Sequence, residues 1–287
     1  MKKLFTTLVL VFLTAPILSG TVLLKGGLVH SGNGGTATVQ DILISENIIV
    51  AVGNNLIIDG NTRVIEVNGL PVTPGLISPM SNLGIVEINA LDVTRDDESD
   101  LLSAGFSIFN AFNPHSTGIP WNRSNGVTSA ISTPSASSFP IFGLGSHFVL
   151  DGSLEIKGAK DIAMFGRLGS SYGSRAETLS LLESLLEIGE LAKNKPVEEI
   201  LEMTIADKLE LQAQDIIALG KVINDDMPFV IETNRAVDIL QALAMKEKYD
   251  LNLVLASVEE APMVLTCLLY TSPSPRDRSV SRMPSSA

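Results

Sequence analysis

Three histidines, a run of acids and one cysteine are the side chains of this 287-residue chain best suited to metal, acid–base or nucleophilic chemistry. Their contexts point away from most of it. His30 flanks a turn in a β-rich stretch and reads as a surface residue. His115 follows Pro114 in a loop, where surface exposure or local hydrogen bonding is expected. His147 precedes Phe148-Val149-Leu150 and is expected to be structural. The acids Asp92, Asp96, Asp97, Glu98 and Asp100 lack the alternating D-x-D-x-D-G series of a calcium loop and read as a solvated loop. No G-x-S-x-G elbow occurs. Gly143-Leu144-Gly145 has neither the lysine nor the strand-to-helix setting of a phosphate loop.

One run carries more. Val72 to Gly84 reads VTPGLISPMSNLG. It resembles the first barrel strand of the amidohydrolase superfamily, where VTPGLID is followed by one residue and then His-x-His. Ser78 stands where that family has Asp, Met80 where it has the first His, and Asn82 where it has the second. The resemblance implies metal-assisted hydrolysis, mostly of non-peptide C–N bonds. A Zn²⁺ or another divalent ion would lower the pKa of water and polarise the carbonyl. The family's ligand set is His-x-His, a bridging Lys or Glu, two further His and a late Asp. A thioether and a carboxamide do not replace two imidazoles on zinc, and none of the three histidines falls on a family ligand position. The metal motif is therefore absent here.

The resemblance extends further along the chain. Ile231-Glu232-Thr233-Asn234 is similar to family strands ending VHAHR or VNR, and keeps Asn234-Arg235 without a His. Ser257-Val258-Glu259-Glu260-Ala261 resembles a GGAEA-type segment, with Glu260 on the acidic position. Ser78, Glu232, Asn234 and Glu260 are thus candidate barrel-mouth residues, with no catalytic residue assigned. The resemblance is to the secreted, imidazolonepropionase-like branch, and two functions follow. One is hydrolysis of cyclic or linear amides with an altered site. The other is a non-catalytic role, binding a small amide ligand or pairing as a scaffold with an active amidohydrolase paralogue, in a homo- or hetero-oligomer.

The ends of the chain are expected to lie outside the folded part. Lys2 and Lys3 precede an apolar run, Leu4 to Leu18, with small residues Ser19 and Gly20 after it. This is the pattern of a secretory signal over residues 1–20. It is short for a membrane span and implies a secreted or periplasmic protein with no integral span once it is removed. Residues 267–287, CLLYTSPSPRDRSVSRMPSSA, resemble two in-frame pieces of translated sequencing adapter, so the natural sequence is expected to continue differently beyond Thr266. Cys267, the one cysteine, goes with that tail. Without its three Arg and one Asp the chain has 17 basic and 31 acidic residues, a net charge of −14 against −12 for the whole. That balance disfavours nucleic acid, whose phosphates need Lys and Arg.

Between these ends the expected architecture is α/β, a partial (β/α)₈ (TIM-like) barrel preceded by a small β-sandwich domain. Residues 21–73 alternate β-branched runs with Gly, Asn and Asp turns. By resemblance they form a sandwich whose second half comes from beyond this chain. Residues 74–266 should supply the barrel. Gly126–Ile131 reads as a strand and Ser135–Gly152 as a Ser/Gly-rich excursion. Arg175–Asn194 repeats Leu at helical spacing. Pro196 opens another helix, Asp207–Asn224 a further one, and Pro228–Ile231 a strand. Asn234 is a plausible N-cap for a helix over Arg235–Tyr249, and Leu251–Leu255 the next strand. Strand–helix–strand at this spacing implies a parallel pair. A barrel of this kind places its site at the C-terminal strand ends.

Overall fold

The computed structural model describes residues 20–135, 139–169 and 173–271. The expected signal segment, apart from Gly20, and residues 272–287 of the expected tail lie outside them, while residues 267–271 of that tail are described and helical. The chain divides into two compact units, Met1–Pro74 and Gly75–Ala287.

The first unit is one five-stranded sheet of β1 (Val22–Val29), β2 (Thr38–Ser45), β3 (Ile48–Gly53), β4 (Arg63–Glu66) and β5 (Pro71–Val72). The order is β3-β2-β1-β4, and β5 also pairs with β1. The β2–β3 hairpin turns on Glu46 and Asn47, both with positive φ, 52° and 63°. That is the turn handedness that matches strand twist, with Asn tolerating the left-handed region. Leu23 and Ile42 are buried. Of the expected sandwich, these residues form a single layer, and Ile48, Ile49, Val50 and Val52 stay exposed.

The second unit is a curled six-stranded half-barrel with helices. Its elements are β6 (Leu76–Ser81), α1 (Gly118–Ser124), β7 (Val127–Ser132), β8 (Ile141–Val149) and β9 (Gly158–Arg167). Then come α2 (Arg175–Leu191), α3 (Val197–Leu201), α4 (Thr204–Lys208), α5 (Ala213–Ile223), β10 (Phe229–Glu232), α6 (Ala236–Tyr249), β11 (Leu253–Ala256) and α7 (Leu265–Thr271). The sheet runs β11-β10-β9-β8-β7-β6. As the spacing implies, β10 and β11 are parallel across α6, and β9 is parallel to β10.

Three expectations need correction. The Ser/Gly-rich excursion contains a full strand, β8, antiparallel to both β7 and β9. The half-barrel is therefore not all-parallel, because short connections close hairpins rather than crossovers. The helix expected over Asp207–Asn224 is two, α4 and α5. Glu210 has a φ of 52°, and Gln212 restarts the chain with a capping box to Asp215. Asn234 is not the cap of α6. Arg235 holds that position without a side-chain bond, and the Ala236 N–H donates to Glu260 Oε2 at 2.8 Å instead.

Alternation of side chains divides the sheet into two faces. Met164, Phe229 and Ile231 join Leu182, Leu185, Leu186, Ile188, Ile216, Leu219 and Val222 of α2 and α5 in the main core. On the opposite, concave face Phe142, Ala163, Phe165 and Val230 form a second cluster with Met80, Ile131, Ile162 and Ala256. A third cluster packs the segment after β6 against β7 and β8, where the Phe112 and Phe148 rings stack at 3.9 Å.

Candidate functional site

β6 carries the residues of the family motif, and its C-terminal end is irregular. Ser78 pairs with Ala130 of β7, but the next paired residue is Ser81 with Ser132. Pro79 and Met80 bulge out between them, with Met80 at a φ of 50°. A left-handed, non-glycine residue is uncommon. This one turns a half-buried thioether onto the concave apolar cluster of Phe142, Phe165 and Val230. Asn82 is exposed, and its carbonyl accepts from Ile85 and Val86 N–H at 3.1 Å each, opening the following loop.

The other candidates have structural partners. Glu232 closes β10, and its Oε2 accepts from Arg167 Nε at 2.9 Å and Nη2 at 2.6 Å. Glu260 caps α6. Asn234 is exposed, and its carbonyl accepts from the Glu260 N–H at 3.0 Å. His30 and His115 are exposed, and His147 sits half-buried in β8 opposite Ile131 and Ala159. The acidic loop is not wholly solvated. Asp97 is fully buried, paired with Arg95 at 3.3 Å and bonded to Ser135. The Asp97 carboxylate raises the Arg95 guanidinium pKa, first through their hydrogen bond.

The amidohydrolase-like sequence implies a metal, and the residues present do not fit one. Among the described residues no three His, Cys, Asp or Glu side chains gather where they could hold an ion. The first motif position is a thioether committed to apolar packing. The strand-end glutamate is committed to an ion pair with Arg167.

What the strand ends do bring together is a group of arginines with the Glu232 carboxylate among them. A cavity of about 260 Å³ opens at the C-terminal ends of β9, β10 and β11, between Arg167, Arg175, Thr233, Asn234, Arg235 and Ser257. Strand pairing sets the frame, with Glu232 opposite both Arg167 and Ala256. Arg167 is oriented twice, by Glu232 and by lying 5.3 Å over the Phe142 ring. Arg175 opens α2, whose cap is Ser174, and its guanidinium pairs with Asp238 in the first turn of α6. Arg235, just before α6, is exposed; its carbonyl accepts from the Ile239 N–H at 2.9 Å, and its guanidinium has no ion pair or hydrogen bond among the described residues. Thr233 is 2% exposed, and its hydroxyl has no hydrogen-bond partner among the described residues. Ser257, directly after β11, has a φ of 59°, so left-handed residues occur at the ends of both β6 and β11.

Sequence reading reached Asn234 and quoted Arg235 and Ser257. It quoted Thr233 only within a strand end and Arg175 only as a helix start, and did not name Arg167. Arg167 ends a strand that carries weak β signals, and Arg175 reads as an ordinary first helical residue. The signal available was three arginines flanking two strand-to-helix connections.

No protein-family model matches the chain, and no curated protein matches it. Solved structures do. An amidohydrolase from Thermotoga maritima superposes with a TM-score of 0.68 at 21% identity, over 87% of this chain and 67% of that one. A D-aminoacylase described as defining a novel subset of amidohydrolases gives 0.41 at 12% identity, over 88% of this chain and 56% of its own. The chain has the fold of the first of these over about two thirds of that protein's length.

Proposed function

We infer that this chain is an amidohydrolase-superfamily protein that binds a small amide-type ligand at the mouth of its half-barrel without the family's two-histidine metal chemistry. The observation that carries this is Met80. Its thioether packs against Phe142, Phe165 and Val230 in place of the first metal-binding imidazole. Asn82 at the second position is a neutral carboxamide, a poor zinc ligand. The barrel frame that positions substrate in this fold class is retained at the C-terminal strand ends. A role as the non-catalytic partner of an active paralogue belongs to the same reading. So does export to a periplasm or beyond, motivated by Lys2, Lys3 and the apolar run after them. Mass spectrometry of the mature N-terminus tests the export.

The shared fold supports a second reading, hydrolysis of non-peptide C–N bonds in cyclic or linear amides. One experiment separates the two. The protein is offered a panel of cyclic amides and N-acyl amino acids with Zn²⁺, Fe²⁺ or Mn²⁺ added. Heat of binding and release of the product acid or amine are followed together. Saturable heat without product is expected. Turnover that depends on added metal would replace the first reading with the second.

A further inference from the structure

The dipeptide Asn-Gly occurs three times in the sequence, at Asn33-Gly34, Asn68-Gly69 and Asn125-Gly126. It has a chemistry of its own. The backbone nitrogen of the glycine attacks the asparagine carboxamide carbon, since no Cβ shields it. The attack is intramolecular, so position governs its rate. All three asparagines are exposed, and access of water does not separate them. The backbone does. The Gly69 N–H donates to the Gly26 carbonyl at 2.6 Å, and the Gly126 N–H to the Arg123 carbonyl at 3.0 Å. Either nitrogen must give up that bond to react. The Asn125 carboxamide is also tied down, its Nδ2 donating to the Trp121 carbonyl at 2.9 Å.

Asn33-Gly34 is arranged differently. It lies in the loop between β1 and β2, and the Gly34 N–H makes no hydrogen bond among the described residues. Gly34 has a φ of 80°, and no heavy atom stands within 4 Å of where its Cβ would be. Asn33 Oδ1 accepts from two donors, the Gly35 N–H at 3.0 Å and the Ser31 O–H at 2.6 Å. The bond to Gly35 folds the carboxamide over the intervening Gly34 peptide and so brings its carbon toward the free nitrogen. Both donors sit where negative charge develops on Oδ1 as that nitrogen adds. Asn33 Nδ2, the leaving group, has no partner among the described residues.

We propose that Asn33 is a site of self-catalysed deamidation. Solvent takes the Gly34 amide proton as the bond from Gly34 N to Asn33 Cγ forms, and the Gly35 N–H and Ser31 O–H hold the oxyanion on Oδ1. Collapse of that oxyanion breaks the Cγ–Nδ2 bond, and Nδ2 takes a proton from water and leaves as ammonia. Water then adds to either carbonyl of the cyclic succinimide and opens it to aspartate or isoaspartate. One water is consumed, one ammonia is released and no electrons are transferred. The product adds a negative charge to a chain whose net charge is −12, and the isoaspartate form lengthens the loop backbone by one carbon. Both changes fall at the rim of a cavity of about 560 Å³ on the first sheet, lined by Ser31 and Thr36 of this loop.

The intact protein, held in warm, mildly alkaline buffer with and without urea and mapped by peptide mass spectrometry, tests this. In the folded protein Asn33 is expected to become aspartate and isoaspartate while Asn68 and Asn125 stay amides. In urea all three should convert at similar rates, and Asn33 should convert more slowly than it does when folded. Ser31 is exposed, so Ser31→Ala should leave the melting temperature unchanged. It should slow Asn33 at least about threefold in the folded protein, a smaller effect than such donors have in water-excluded sites, and leave the rate in urea unchanged. The comparison of the three wild-type sites does not depend on that variant. Asn33 remaining an amide in the folded protein, or converting no faster there than Asn68 and Asn125, overturns the proposal. Equal rates at Asn33 in folded and urea-unfolded protein also overturn it, as do equal folded rates in wild type and Ser31→Ala. Those results leave only the intrinsic reactivity of the dipeptide.

Discussion

Met80 is the residue on which the chemistry turns. A histidine there would need to reach metal from the concave face, whereas the thioether packs against the cluster of Phe142, Ala163, Phe165 and Val230, a task that unbranched, polarisable methionine performs well. Met80→Ala should therefore cost stability, about 1–2 kcal/mol at a half-buried site, read from urea denaturation. No loss would mean that the packing against the apolar cluster is not made in solution. Asp215 offers a sharper case. It is 1% exposed, and its carboxylate accepts from the N–H groups of Gln212 at 2.9 Å, Ser103 at 3.0 Å and Gly105 at 2.7 Å. One side chain thus caps α5 and anchors a loop more than a hundred residues away. Asp215→Ala strands three donors and should cost about 3–5 kcal/mol, with Asp215→Asn losing less because one acceptor oxygen remains. An alanine variant as stable as wild type would contradict this. The motif substitutions at 78, 80 and 82 were legible in the sequence. The tie between Asp215 and Ser103 was not, because it joins residues that nothing local relates.

At the scale of elements, α2 and α5 cross closely because Gly189 allows it. A Cβ at Gly189 would lie 2.7 Å from Ile223 Cγ1 and 3.0 Å from the Leu219 carbonyl oxygen. Alanine is the better helix former by about 1 kcal/mol, but overpacking at such a contact typically costs about 1–3 kcal/mol. Gly189→Ala should thus destabilise, and a raised melting temperature would contradict the crossing. The β8–β9 connection carries an ion pair across its base, Lys157 Nζ to Asp151 Oδ2 at 2.7 Å. Chiefly through that hydrogen bond, and then through the Ser153 N–H, the Asp151 carboxyl is held below the usual carboxylate range. The Lys157 ammonium is raised in turn. A depressed carboxylate contributes stability above its unfolded pKa of about 3.9 and loses it as pH falls through the folded value. Carbon-detected titration should show the Asp151 midpoint moving up in Lys157→Ala, and an unmoved midpoint would exclude the pair. Helices α2 and α6 and strands β7, β10 and β11 were readable from periodicity and β-branched runs. β9 was not, since GAKDIAMFGR has the wrong composition for a strand. Its glycines answer to packing instead. A Cβ on Gly158 would fall 1.9 Å from the His147 carbonyl oxygen, at a φ of 149°. The break between α4 and α5 escaped for a related reason, because a left-handed glutamate carries no mark that sequence reading can use.

Across the whole molecule, the fold is that of an amidohydrolase while the residues at its mouth describe different chemistry. The parallel strands β9, β10 and β11 deliver guanidinium groups and an unbonded hydroxyl to the place where such barrels do their work. The strand that would deliver imidazoles delivers a thioether and a carboxamide. The antiparallel β8 shows that even the frame is not a plain repeat of strand and helix. The central claim, a binding site without the two-histidine metal centre, is tested most directly by equilibrium dialysis of the purified chain against zinc, followed by elemental analysis. Sub-stoichiometric zinc, removed by a brief wash with a weak chelator, is the expected result. One or two zinc ions retained per chain through that wash would contradict it.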